Sequence, residues 1–296
     1  MITAAFERGR NRTRLSSALD APFPFSKFAI VLPSAAMKLV SWNVNSIRAR
    51  LERVLAWLDR EKPDVLCMQE LKVEEQDFPA LAFRGVGYEI AHACQRTYNG
   101  VAIASRTPIT DVKYGLDDGV EDSQARLVAG TVNGVRILSA YIPNGQDLAS
   151  DKYVYKLAWL ARLRRYLDTH ASPSQPLILC GDFNVAPEER DVYEPRYWER
   201  QTLFHVDSRV ALEQVRAFGL TDTFRLHHSE SGAYSWWDYR MQGFQRNEGL
   251  RIDHIFATES MALRCTSTSI DQDERREEGK KEKPSDHAPV LAVFKD

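Results

Sequence analysis

Six stretches of this 296-residue chain set side chains able to bind metal or phosphate against short apolar runs. KLVSWNVN closes on Asn43 and Asn45, DVLCMQE on Glu70, RILSAYIPN on Tyr141 and Asn144, and LILCGDFN on Asp182 and Asn184. GLRIDHIFA presents Asp253, and KPSDHAPVLAVF presents Asp286 and His287 immediately before its run. Asn and Asp are common turn formers at strand ends, so any one of these residues is more often structural than chemical. Six such sites, offering only Asn, Asp, Glu, His or Tyr, are hard to assemble from turn chemistry alone. Oxygen donors of this kind suit a hard divalent cation, and a carboxylate cluster would explain the chain's acidity. His254 is read as a satisfied histidine, because strand alternation puts it on the face opposite Asp253.

The elements that must position these groups are legible in outline. Strands buried between layers would bring their polar ends to one rim of a sheet and build a carboxylate-rich cleft there. After Asn45 and Ser46, plausible cap residues, Leu51, Val54, Leu55 and Leu58 recur with helical spacing until Pro63 blocks continuation. Val154, Leu157, Leu160, Leu163 and Leu167 predict a second helix. Arg162, Arg164 and Arg165 lie off that stripe or at its margin, open either to phosphates or to solvent.

Composition bounds the remaining choices. The chain is 44% hydrophobic and 27% charged with a mean hydropathy of -0.40, the balance of a soluble protein with a real core. No run of about 18 apolar residues occurs, which excludes a membrane-spanning helix. The four cysteines, Cys67, Cys94, Cys180 and Cys265, form no CxxC pair, and Cys67 and Cys180 sit in apolar runs, so a reducing compartment is expected. Residues 1–36 hold five basic and two acidic side chains; with an overall charge of -2, the remainder carries -5. That leader lacks periodicity and is expected to be disordered or to reflect an upstream start, with organelle targeting left open. Residues 37–296 are read as a single catalytic domain, free of linkers and repeats.

The motifs WNVNSIRAR, QELK, YIPNG, GDFNVAPEE, GLRID and KPSDHAPV, in this order, resemble those of the exonuclease III family of abasic-site endonucleases. The resemblance runs from Met37 almost to the C-terminus. It implies a four-layer α/β sandwich of the deoxyribonuclease I-like (endonuclease/exonuclease/phosphatase) fold, with two sheets face to face and helices outside. It assigns Asn45 and Glu70 to an Mg²⁺ site, for which Mn²⁺ could substitute, with Asn43 in the surrounding network. Asp182, Asn184, Asp286 and His287 belong to the wider metal group. Asp182 would orient or deprotonate the attacking water, Asn184 would position it, and Asp253 would hold the His287 imidazole against phosphate. Tyr141 and Asn144 would donate to phosphate oxygens, Asn144 standing where the family carries a Gln. Arg126 is placed with the substrate-binding residues, and Trp236, Leu250 and Ile252 with a pocket for the abasic sugar.

The reaction so implied is in-line attack of water on the phosphodiester 5′ to an abasic site in duplex DNA, with 3′–5′ exonuclease and 3′-end trimming. The expected partner is double-stranded DNA with abasic sites or blocked 3′ ends, handled by a monomer in the cytoplasm near the nucleoid. A phosphoinositide or sphingomyelin phosphodiesterase would keep the metal and SDH motifs, but not WWDYRMQGF and NEGLRID together. A silent binding protein on the same scaffold would have lost at least one of Glu70, Asp182, Asn184, Asp253 or His287. A metabolic hydrolase is favoured only by the net charge.

Overall fold

A computed structural model describes residues 36–277 and 282–295, so the expectation for the leader lies outside the described residues but for Ala36. In chain order the strands are β1 (Met37–Asn43), β2 (Val65–Gln69), β3 (Glu89–Ala93), β4 (Val101–Ser105), β5 (Thr110–Tyr114), β6 (Leu127–Val132), β7 (Val135–Tyr141), β8 (Leu177–Asp182), β9 (Leu220–Asp222), β10 (Trp236–Trp237), β11 (Gly249–Leu250), β12 (Asp253–Thr258), β13 (Cys265–Ile270) and β14 (Val290–Phe294). They form two six-stranded sheets, ordered β13-β14-β1-β2-β4-β3 and β5-β6-β7-β8-β12-β9, and a two-stranded ladder of β10 and β11.

Alternation along the central strands makes three apolar layers. Leu39, Cys67 and Ile103 from the first sheet meet Ile137, Cys180 and Ile255 from the second in the core between them. The next residues along β1, Val40 and Trp42, face outward instead, under α1 (Ile47–Glu61), joined there by Phe83 of α2 (Ala80–Gly85). On the far side, α3 (Asp151–His170) covers Leu138, Leu179 and Phe256, with α4 (Pro195–Trp198) and α5 (Val206–Arg216) following in the chain and α5 closing the same layer. The order helix, sheet, sheet, helix is the expected four-layer sandwich. Each large apolar side chain so buried contributes about 1.5–3 kcal/mol.

Two helix readings change in detail. Ser46 occupies the N-cap of α1, but its side chain makes no capping bond; its N–H instead donates to the Glu70 carbonyl at 2.7 Å. In α3 the buried face carries Tyr153, Lys156, Trp159, Leu160, Leu163, Tyr166 and Leu167, while Val154 is 66% exposed. The aliphatic stripe was thus centred off the true face, because three aromatics and a buried lysine help to define it. Arg162 is buried and engaged by Asp118 and Asp122 at 2.7 and 2.8 Å, and Arg164 pairs with Asp168 at 3.0 Å.

The rim residues align because of strand direction. β1 and β2 run parallel, as do β7 and β8, so their C-terminal ends coincide. β14 and β12 run antiparallel to β1 and β8, which brings their N-terminal ends to the same edge and sets Asp253 opposite Asp182. Gly181 allows the close approach of β7 and β8: its φ is +148°, and a Cβ there would lie 1.8 Å from the Ala140 carbonyl oxygen.

A buried ion network fixes the segment leading into β12. The Arg251 guanidinium is 1% exposed and donates to Asp191 at 2.7 and 3.2 Å, to Asp222 at 2.8 Å, and to His254 Nδ1 at 3.0 Å. Arg225 joins the same Asp191 carboxylate. Burial, followed by the Arg251 charge, pushes His254 down to about 4, so its imidazole is neutral and gives its Nε2 proton to the Val185 carbonyl at 2.9 Å. Removing Arg251 would strand the buried Asp222 carboxylate and leave Asp191 to Arg225 alone, and breaking a buried pair in this way typically costs about 3–5 kcal/mol. Arg251→Ala should therefore lower the unfolding free energy by about that much in a urea titration; a loss below about 1 kcal/mol would show that the network is not what holds this segment.

Candidate active site

The cleft begins where the inter-sheet core turns polar. Below the rim, Gln69 Nε2 donates to Ser41 Oγ and Ser139 Oγ, each at 3.2 Å, linking the sheets through a buried hydroxyl–amide bridge. One step further along β1, the Asn43 amide nitrogen donates to Glu70 Oε1 at 2.8 Å and to Asp182 Oδ2 at 2.9 Å. A single amide therefore spans carboxylates from both sheets.

The backbone at the strand ends is shaped to aim these groups. Asn45, Glu70, Lys72 and Asn184 all have φ between 44° and 55°. The left-handed region is uncommon for Glu and Lys, and residues held there cluster at functional sites. At Glu70 the turn persists because its carbonyl accepts from Ser46 and the next amide donates to the Gly100 carbonyl at 3.2 Å. Asn184 N donates to Asp182 Oδ1 at 2.9 Å, which locks the carboxylate's second oxygen.

His287 closes the opposite wall. Its Nδ1 lies 2.9 Å from Asp253 Oδ2, an oxygen that also accepts from Ser235 Oγ at 2.7 Å, and its Nε2 faces Asp182 Oδ2 at 3.8 Å. The Asp-His segment is anchored by Ser285, whose hydroxyl donates to the Asn43 carbonyl at 2.7 Å, and by Trp42 Nε1, which donates to the His287 carbonyl at 3.2 Å. Asp286 accepts from Asn45 Nδ2 at 2.8 Å and from Trp236 Nε1 at 3.1 Å.

Asp182, Asp253 and His287 are at most 4% exposed, and Asp182 and His287 each shift the other's protonation. Burial works against a charged His287, but Asp253 and Asp182 overcome it and push the imidazole up to about 10. Burial pushes Asp182 up to about 7; His287 offsets part of this, while Asp253 and Glu70 add to it. The Tyr141 hydroxyl is held well above its ordinary range by burial first, and then by Glu70 and Asp182, so it is a hydrogen-bond donor.

The donor chemistry fits a divalent cation. Glu70, Asp182 and His287 each bring a ligand atom within 4.8 Å of the others. The Lys72 ammonium lies 2.6 Å from both Glu70 Oε2 and Asn45 Oδ1, so a positive charge is already seated between the two oxygens assigned to the metal. The acceptors that Glu70, Asp182 and Asn45 bring to this group are hard oxygens, which suit a cation such as Mg²⁺.

The remaining expected residues fall into two groups. Asn144 is exposed and donates to Asn184 Oδ1 at 3.0 Å, while Arg126 lies over the Tyr141 ring at 4.8 Å and donates to the Tyr141 carbonyl at 3.1 Å. Leu250 and Ile252 are buried with Val192, Leu203 and Phe204, and the partly buried Trp236 and Trp198, edge-on to each other at 6.2 Å, pack against them. Sequence reasoning missed Lys72, Ser235, Ser285, Trp198 and Lys156. Lys156 Nζ is fully buried and donates to the carbonyls of Asn184, Thr202 and Asn144 at 2.6, 2.9 and 3.1 Å. Only Lys72 and Ser285 carried a local signal, lying inside the QELK and PSDH motifs.

The model of the Endonuclease/Exonuclease/phosphatase family matches residues 40–287, a span that begins in β1 and ends on His287. The chain belongs to this family. It is 33% identical over 271 residues to exodeoxyribonuclease III of Haemophilus influenzae, covering 88% of this chain and all of that relative. Among solved structures it resembles an AP endonuclease from Archaeoglobus fulgidus, at TM-score 0.84 and 40% identity, over 88% of this chain and 100% of that one. It also resembles the 3′ phosphatase NExo from Neisseria, a variant bound to a product DNA hairpin, at TM-score 0.82 and 41% identity, over 88% of this chain and 99% of that one.

The titration order gives a signed prediction. If Asp182 serves as the base it must be deprotonated to act, so kcat/KM should rise as pH climbs through about 7 and Asp182 ionises, and should fall near pH 10 as His287 loses its charge. Raising the divalent-cation concentration should move the lower limb to lower pH, since added positive charge favours the carboxylate. A lower limb that ignores both pH and cation concentration would remove Asp182 from the role of base.

Proposed function

We propose that this chain is a DNA-repair phosphodiesterase that cleaves 5′ to abasic sites in duplex DNA and trims 3′ ends with 3′–5′ exonuclease activity. The observation that carries the reading is the joining of Glu70 and Asp182 through the Asn43 amide, with His287 charged beside them. Similarity to an exodeoxyribonuclease over that relative's full length, and to a neighbour bound to a DNA hairpin, supports DNA as the substrate. The enzyme would act as a monomer on chromosomal DNA in the cytoplasm; no helix among the described residues is long and apolar enough to cross a membrane.

Glu70 and Asn45 would hold Mg²⁺, with Asp182, Asn184, Asp286 and His287 around it and Mn²⁺ as a substitute. When bound, the cation supplies charge stabilisation to a phosphoryl oxygen and to the leaving oxyanion. The protein's own groups do the rest. Asp182 accepts the proton of a water that Asn184 helps to orient, so no covalent intermediate is required. His287, kept charged by Asp253, and Tyr141, kept protonated, donate to the phosphate as negative charge develops on it. Asn144 and Arg126 extend that donor surface. Trp236, with Leu250 and Ile252 behind it, would form the wall against which an extrahelical sugar rests; extrusion costs least where no base has to be unpaired.

Purified protein should cleave a duplex carrying an abasic analogue, shorten a recessed 3′ end and release a 3′ phosphate, each only with Mg²⁺ or Mn²⁺. Asp182→Asn and His287→Ala should each reduce kcat on the order of 10²–10⁴-fold without unfolding the chain. Full activity in excess chelator would overturn the mechanism, and activity confined to the 3′ phosphate would restrict the function to end trimming.

The pocket has its own test. Leu250→Ala would open a cavity in a packed cluster and cost about 2–5 kcal/mol, so the half-exposed Trp236 is the informative position. Trp236→Ala should raise kcat/KM on undamaged duplex relative to abasic duplex, because a wall that excludes a base-bearing nucleotide is gone. An unchanged ratio in the folded variant would leave Trp236 as packing.

A further inference from the structure

Three side chains offering oxygen, nitrogen and sulfur meet at the edge of the first sheet, away from the carboxylate cleft. Glu75 opens a short 3-10 turn after β2, His92 lies in the edge strand β3, and Cys94 follows the end of that strand. His92 and Cys94 are two residues apart and so share a face. Ala91 and Ala93, on the opposite face of the strand, contact the inter-sheet core, and Cys94 packs with Ile90 against the outer cluster. His92 Nδ1 lies 3.2 Å from Glu75 Oε1 and 3.5 Å from Cys94 Sγ, and all three donor atoms fall within 4.8 Å of one another.

These separations have a specific meaning. Zinc binds imidazole nitrogen and carboxylate oxygen at about 2.0–2.1 Å and thiolate sulfur at about 2.3 Å. A tetrahedral ion with those bonds sets N and O about 3.3 Å apart and N and S about 3.5 Å apart. The spacing in the chain matches both edges. The support around the trio is also built: Phe78 stacks on the His92 ring at 4.2 Å, and a β-bridge between Val73 and Gln95 ties the turn's leading segment to the strand's end. We propose that Glu75, His92 and Cys94 form a tetrahedral site for one Zn²⁺-like cation, its fourth position open to solvent water.

The donor set separates this site from the cleft, because thiolate and imidazole select zinc where oxygen ligands suit magnesium. Without a cation the thiol keeps its proton. Binding replaces that proton with the metal: one S–H bond breaks, one S–Zn bond forms, and the proton leaves to solvent. The competing description is a hydrogen-bonded trio with no metal. If occupied, the site would clamp the segment that follows Glu70 and Lys72 to the sheet edge, a structural rather than catalytic task.

Full-length protein, stripped with chelator and held in excess Mg²⁺ to fill the cleft, should be titrated with Co²⁺ and followed by absorption. One equivalent should give thiolate-to-cobalt charge transfer and intense tetrahedral visible bands, both bleached by Zn²⁺. Cys94→Ser and His92→Ala should abolish the charge transfer, and Glu75→Gln, at an exposed position where folding has little at stake, should weaken Co²⁺ binding by about tenfold or more. Zn²⁺ should also raise the Tm of the wild type but not of Cys94→Ser. Absence of charge transfer in the wild type, or its persistence in Cys94→Ser, would overturn the site.

Discussion

Like charges drawn together at the shared edge of two sheets are the constraint on which this structure turns. Glu70 comes from one sheet and Asp182 and Asp253 from the other, and each would repel its neighbours in a medium that screens poorly. The Asn43 amide answers part of this by giving one N–H to each sheet, and the raised His287 answers more. What is left unbalanced is what makes the site useful. Asp182 is poised near neutrality rather than fully ionised, and the surplus of oxygen acceptors favours a divalent cation.

Much of the surrounding architecture exists to hold that arrangement against its own repulsion. Gly181 lets β7 and β8 close to within a distance no side chain tolerates, and Ser285 and Trp42 grip the Asp-His segment through backbone atoms. The left-handed residues at the strand ends are the backbone's share of the cost. In each case a locally unfavourable conformation is retained because several hydrogen bonds determine it together.

The strand-end positions of Asn43, Glu70, Asp182, Asp253 and His287 were legible because a polar residue terminating an apolar run is a local pattern. The layers were legible for the same reason, since alternation in β1 and β8 is printed in the sequence. What joins those residues was not. Asn43 reaches Asp182 across 139 positions and Trp42 reaches His287 across 245, and no local signal records such pairings. Arg251 lay inside a recognised motif, yet its role as the centre of an ion network depends on Asp191 and Asp222, which sit elsewhere in the chain. The α3 stripe was misplaced for a related reason: Val154 fits the helical period, but the tertiary face chose Trp159, Tyr166 and Lys156. Sugar-pocket residues named from resemblance are in part core, because an aliphatic side chain next to a site and one beneath it look alike in sequence.

Lys156 carries a consequence for how such a cleft can diversify. Its ammonium grips carbonyl oxygens at positions 144, 184 and 202, and a carbonyl is common to every amino acid. The three loops bordering the cleft are therefore moored by a bond indifferent to the residue that supplies it. Side chains there are free to drift, as the Asn at 144 illustrates, while the loops keep their berth. Descent can thus retune what the rim recognises without renegotiating the frame that holds it.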